Sequence, residues 1–283
     1  MALFVRRLTH LDVSLWCPDR GLIGASWQVD ATLDGELGED GMLFDFGEVK
    51  PWIKSRLDSG ADHTLLVPTQ APGVEVSECR EGLCVRTSSP YPMEVRGPRQ
   101  AFTLLPWPRI TKTAMAEHLS RQLLRHPPER VEHIELCLSD ESIDGAAYTY
   151  SHGLRRHAGN CQRIAHGHRS RLEIIQRGSR QPGLEEHYAR WLDDSYLVDE
   201  HDLVCVEGDA LVSAYQAPQG RFQLRLPRER CRCLPGATTV ERIAMWLAEH
   251  IARDTGIDTW VRAYEGVDKG ATATAKAKAK APH

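Results

Sequence analysis

The feature that most constrains this chain is an internal repeat. Comparing its halves gives a self-similarity with a period of roughly 140 residues. In the first half, Asp62-His63 is followed by a helical stretch opened by Thr113 and then by Ile134–Glu141, a strand ending at a glutamate. The second half repeats that order as Glu200-His201, Thr239 with its helix, and Thr259–Glu265. A chain of 283 residues built this way predicts two domains of one design rather than a single large core.

Each half reads as strand, strand, helix, loop, helix, strand, strand, an α+β pattern. Thr113 and Thr239 are expected N-caps, and Ile243, Trp246, Leu247 and Ile251 recur at helical spacing. Two further helices are expected at Glu48–Leu57, with Pro51 in its first turn, and at Glu185–Asp193. Residues 65–112 and 203–238 hold short β-like pieces separated by Pro and Gly, which predicts hairpins or irregular insertions. The expected units are residues 1–148 and 149–270. Residues 271–283, ATATAKAKAKAPH, have the composition of a disordered tail.

Chemistry concentrates in Cys161-Gln-Arg-Ile-Ala-His166-Gly167-His168, with His152 upstream. A catalytic zinc site uses three neutral ligands and keeps an open position. Histidines at i and i+2 share one face of a strand, and the alternating continuation Arg169–Ile175 supports a strand there. His152 then closes the triangle from a neighbouring strand, and Cys161 stands near enough to act as a nucleophile or base. Two exposed strand histidines are the plainer alternative.

The remaining composition narrows the class. A formal net charge of −4 gives no reason to expect nucleic acid as the partner. No apolar run approaches the ~20 residues of a membrane span, and the N-terminus has no signal-peptide core, so a cytoplasmic location is expected. The eight cysteines are expected as free thiols, because neither Cys231/Cys233 nor Cys79/Cys84 makes the paired spacing of a structural zinc site.

These residues together resemble the 6-pyruvoyl-tetrahydropterin synthase and 6-carboxytetrahydropterin synthase family. The second half carries His152, Cys161 and His166-Gly167-His168; the first carries Gly41-Met-Leu-Phe-Asp45-Phe46 and Asp62-His63-x-x-Leu66. The resemblance spans nearly the whole chain as two units in tandem. It implies two T-fold (tunnelling fold) units, with antiparallel sheets carrying helices on one face, that assemble into an oligomeric barrel. It further implies Zn2+ on His152, His166 and His168, and Cys161 as acid/base. The assisting acid-His pair would be Asp62/His63 or Glu200/His201, and the pterin anchor Glu265 or Glu141. The implied activity is a zinc-dependent lyase of tetrahydropterin or queuosine-precursor biosynthesis. It would convert 7,8-dihydroneopterin triphosphate to a 6-carboxy- or 6-pyruvoyl-tetrahydropterin, with Arg155, Arg156, Arg163, Arg169 and Arg171 near enough to receive the triphosphate. Aldolase-like side-chain cleavage and a catalytically silent pterin- or purine-binding protein are the alternatives.

The first half departs from the pattern. Ile23-Gly24-Ala25 stands where His-Gly-His belongs, with His10 near the expected upstream position, and neither Ile nor Ala ligates a metal. The second half in turn lacks the Gly-Met-x-x-Asp-Phe segment. Such complementary losses imply one composite site, formed within a chain or between subunits of a homo-oligomer.

Overall fold

The computed structural model describes residues 1–277. The first unit runs β1 (Ala2–Cys17), β2 (Gly21–Gly35), α1 (Phe46–Ser59), β3 (Leu65–Pro68), β4 (Val74–Cys79) and β5 (Gly82–Thr87). It continues with β6 (Met93–Gly97), β7 (Phe102–Leu105), α2 (Lys112–Leu123) and β8 (Val131–Asp140). The second runs β9 (Ala147–His152), β10 (His166–Gln176), β11 (Ser179–Arg180), α3 (Pro182–Leu192), β12 (Ser195–Asp199) and β13 (Leu203–Glu207). It ends with β14 (Ala210–Ala217), β15 (Gly220–Pro227), β16 (Cys231–Leu234), α4 (Val240–Thr255), β17 (Thr259–Tyr264) and β18 (Gly270–Ala275).

Each unit builds one sheet backed by its two helices. Their strand orders are β7-β3-β1-β2-β8 and β16-β12-β9-β10-β17-β18, with β11 alongside β10. The long hairpins pair antiparallel, as expected, but β3 and β12 join parallel to β1 and β9, so the sheets are mixed. A helix lies between β2 and β3 and between β10 and β12, so β3 and β12 run opposite to the strand before that helix and alongside the first strand of their own hairpin. On α4, Ile243, Leu247 and Ile251 form a fully buried stripe, each contributing about 2 kcal/mol by apolar burial.

The insertions do more than fill loops. They join as one six-stranded sheet, β13-β14-β15-β6-β5-β4, in which β15 of the second unit pairs with β6 of the first. Beneath it, Trp16, Leu65 and Val67 share one core with Tyr196, Val198 and Phe222. The two unit sheets also touch directly through their hairpins. Gly24 and Gly167 meet there: a Cβ on Gly24 would stand 2.0 Å from the Tyr150 carbonyl, and one on Gly167 would stand 2.7 Å from the Gly24 Cα. Beside them the Ser14 hydroxyl donates to the Ser151 hydroxyl at 2.7 Å. Equivalent residues thus contact each other, which marks an internal pseudo-twofold axis.

Several local expectations are corrected. The N-cap of α2 is Thr111, whose side chain accepts from the Ala114 amide, not Thr113; Thr239 sits at the α4 N-cap without a side-chain bond. Because α1 begins at Phe46, capped by Asp45, Pro51 lies inside the helix rather than in its first turn. β9 begins at Ala147, so the expected boundary after residue 148 falls within a strand. Residues 271–275 are not a disordered tail but most of β18, paired with β17, and Ala275 is buried. The alternating Ala and Thr supply the two-residue period of a strand; residues 278–283 lie outside the described region. Among the described residues, no helix is long and apolar enough to cross a membrane.

Candidate metal centre between the two units

Strand register gathers the three histidines. His166 and His168 share a face of β10, and His166 stands directly opposite His152 on β9. All three are buried, and their nearest ligand atoms lie within 4.8 Å of one another. The rings of His152 and His166 are held through Nδ1, and that of His168 stands beside a carboxylate without a hydrogen bond. Nδ1 of His152 faces the Thr238 carbonyl at 3.0 Å, that of His166 faces the Arg163 carbonyl at 3.0 Å, and that of His168 lies 3.3 Å from Asp12 Oδ1. A protonated Nδ1 donating to a carbonyl leaves Nε2 with its lone pair, and all three Nε2 atoms are buried without a hydrogen-bond partner.

That arrangement fits a cation. Three orphaned buried acceptors converging on one point are costly unless something binds them. Burial, reinforced by the neighbouring histidines, holds His152 and His166 well below the ordinary imidazole value, in the neutral form that ligates. Zinc bound by three imidazoles keeps a fourth position for water or substrate.

The first unit completes the surroundings. Asp12 is almost fully buried; burial would raise its carboxyl, but His168 and Lys269 hold it below the usual carboxylate range. Ser26 donates to Asp12, and Lys269 Nζ lies 3.3 Å from Oδ2. His63 enters from the turn before β3 with φ of 55°, and its Nδ1 is 2.5 Å from Asp62 Oδ2. Its ring centroid lies 5.1 Å from that of His166, and His63, Cys161 and His166 bring donor atoms within 4.8 Å of one another. Burial pulls the His63 pKa down, but Asp62 and Cys161 overcome it and raise it to about 10. The Cys161 turn is fastened to the first unit as well. Asn160 donates to the Asp58 carbonyl, and Arg163 to the Asp62 carbonyl. One chain therefore brings residues of both units to the candidate centre.

Glu265, following β17, places Oε1 4.0 Å from His168 Nε2. Glu141 is not brought to the centre; it is buried and paired with Arg171 at 3.3 Å. His201 is also elsewhere, exposed and paired with Asp199 at 2.8 Å. The dipeptide likeness that matched Glu200-His201 to Asp62-His63 is overruled by backbone bonding. Asp62 Oδ1 accepts from the Asp12 amide and the His63 amide donates to the Asp12 carbonyl; Asp193 and Asp194 make the same two bonds to Thr149. Asp193-Asp194 is the counterpart. The same register puts Leu15, not His10, opposite Ile23, in the place of His152 opposite His166. Of the arginines, Arg155 pairs with Asp202, Arg163 donates to Asp62, and Arg171 pairs with Glu141 and Asp268. Asp12, Ser26, Thr238 and Lys269 were not expected from the sequence. None belongs to a local motif, and each arrives from a segment distant in the chain.

Fold and centre define a duplicated T-fold in which one copy keeps a three-histidine donor set and the other covers it. The family model described as 6-pyruvoyl tetrahydropterin synthase matches this chain twice, over residues 12–143 and 144–276. The chain belongs to that family. A putative 6-carboxy-5,6,7,8-tetrahydropterin synthase of Pyrococcus abyssi (strain GE5 / Orsay) is 26% identical over 130 residues, 46% of this chain and 75% of that protein. Among solved structures, the 6-pyruvoyltetrahydropterin synthase of Plasmodium vivax aligns at 16% identity and a TM-score of 0.42, over 51% of this chain and 93% of that one. That of Plasmodium falciparum aligns at 15% and 0.41, over 49% and 90%.

Proposed function

We propose that this chain is a zinc-dependent lyase that converts 7,8-dihydroneopterin triphosphate to a 6-carboxy- or 6-pyruvoyl-tetrahydropterin. The observation that carries this reading is the convergence of three unpartnered Nε2 atoms, on His152, His166 and His168, beneath His63 and Cys161. Zinc held by those atoms would supply Lewis acidity toward the oxygens of the substrate side chain. Cys161 then moves a proton at a side-chain carbon, and His63, oriented by Asp62, relays or tunes that proton. Glu265 accepts two hydrogen bonds from the amino and ring N–H groups of the pterin. Asp12 positions His168 and touches no reacting atom.

Two measurements test this. Metal analysis of the purified chain is expected to give about one zinc per chain, lost in His166→Ala/His168→Ala. Incubation with the triphosphate should release tripolyphosphate with wild type and not with Cys161→Ala. Zinc retained in the double variant, or equal turnover by Cys161→Ala, would sink the assignment. Hydroxymethylpterin with a two-carbon fragment would instead identify side-chain cleavage. The unpaired edges β8 and β18 further support assembly as a homo-oligomer, expected in sedimentation as a species larger than one chain. The cytoplasm is its proposed location; separately, no helix among the described residues is long and apolar enough to cross a membrane.

A further inference from the structure

The pseudo-twofold axis that makes one metal centre also makes its mirror position. There Leu15, Ile23 and Ala25 occupy the places of His152, His166 and His168. Asp140 opposes Trp27 as the counterpart of Glu265. This position is not filled in. It holds a cavity of about 580 Å³, within the usual range for a small-molecule site. Ala25 in place of a histidine is part of the reason that room remains.

The lining has lost every metal donor of the triad, but it is not inert. Leu15, Ile23, Ala25 and Trp27 form an apolar wall. Arg20, Arg109, Lys112 and Arg169 also line it, against only two carboxylates, Asp140 and Asp193. Arg109 and Lys112 are held by Asp19 and Asp140, pairs in which every side chain is 40% exposed or more. Exposed pairs of this kind are worth little and can exchange for a ligand anion.

We propose that this cavity is a second, metal-free binding site for a flat heteroaromatic anion. The ring lies on the wall of Leu15, Ile23 and Ala25, and the anionic group lies toward Arg109, Lys112 and Arg169. The site binds without turnover, because it has neither the three histidine donors nor a counterpart of His63: Asp194 stands there, already paired with Arg20.

The test uses the full chain treated with a metal chelator and carrying Glu265→Gln to weaken the other pocket. The probe is pterin-6-carboxylate, a fluorescent planar anion, followed by equilibrium dialysis. One saturable equivalent per chain is expected. Arg109→Gln/Lys112→Gln should weaken it at least about tenfold, and Ile23→Trp, which fills the cavity, should abolish it. The uncharged parent pterin should bind more weakly than the carboxylate. Affinity within about twofold of wild type in the double variant, or no saturable binding after Glu265→Gln, would overturn the proposal. The double variant changes only exposed side chains, so the test stands even if Ile23→Trp fails to fold.

Discussion

Asp12→Asn isolates what the first unit contributes to the centre. The Asp12 side chain is 6% exposed, with one oxygen 3.3 Å from His168 Nδ1 and the other 3.3 Å from Lys269. Asparagine keeps the shape and one acceptor but loses the charge. Groups that orient a metal-binding histidine typically change metal affinity by about 10–100-fold when removed. Loss of the charge with the shape kept belongs at the low end, roughly tenfold weaker zinc binding. Asp12→Ala removes the carboxylate beside His168 altogether and should approach ~100-fold, the upper end for such supporting groups. Lys269 is 54% exposed and recovers water when unpaired, so in Asp12→Asn, which keeps an acceptor for Ser26, metal-free stability should change by less than about 1 kcal/mol. Asp12→Ala also strands the buried Ser26 hydroxyl and should cost about 1 kcal/mol more. Competition with a fluorescent zinc chelator at neutral pH, beside urea unfolding of the metal-free chain, separates the two effects. Zinc affinity within about twofold of wild type in both variants would refute the positioning role. So would a metal-free chain destabilised as much as the zinc-bound one.

Three further outcomes follow from the geometry. Because His63 is raised to about 10, its pairing contributes stability fully present below its unfolded value of ~6.5 and lost as pH rises through about 10. In urea unfolding of the metal-free chain, wild type should lose stability over that window relative to His63→Asn, which tolerates the positive φ; parallel curves would contradict this. Gly24→Ala places a methyl group against the Tyr150 carbonyl and the His168 amide, so the unfolding free energy should fall by about 3 kcal/mol or the chain should fail to fold. Ser14→Ala leaves the buried Ser151 hydroxyl without its partner and should cost about 1 kcal/mol in the same measurement.

The grouping of the three histidines was legible because strand periodicity alone puts His166 and His168 on one face, and His152 needed only a neighbouring strand. What supports them was not. The Thr238 and Arg163 carbonyls carry no side-chain signature, and Asp12 reaches His168 only once the two hairpins have crossed. Local likeness also misled where backbone bonding decides. Glu200-His201 repeats the letters of Asp62-His63, whereas Asp193-Asp194 repeats its bonds. His10 has the right chemistry, but Leu15 has the right register. The two helix pairs were readable from apolar spacing, with starts displaced because Asp45 and Thr111 cap earlier than the first periodic residues. Pairing of β6 with β15 joins segments far apart in the chain, and neither strand announces its partner.

That pairing orders events during synthesis. β6 is complete once residue 97 has been made, but its partner β15 is not finished until residue 227 has been added. A ribosome adding roughly 5–20 residues each second leaves that edge open for many seconds. Until then the first unit exposes an unpaired strand and the half-built core around Trp16, the kind of surface that chaperones hold and that neighbouring nascent chains can capture. The fused halves are therefore a single unit of folding, and the last strand of the shared sheet is what closes that exposed edge.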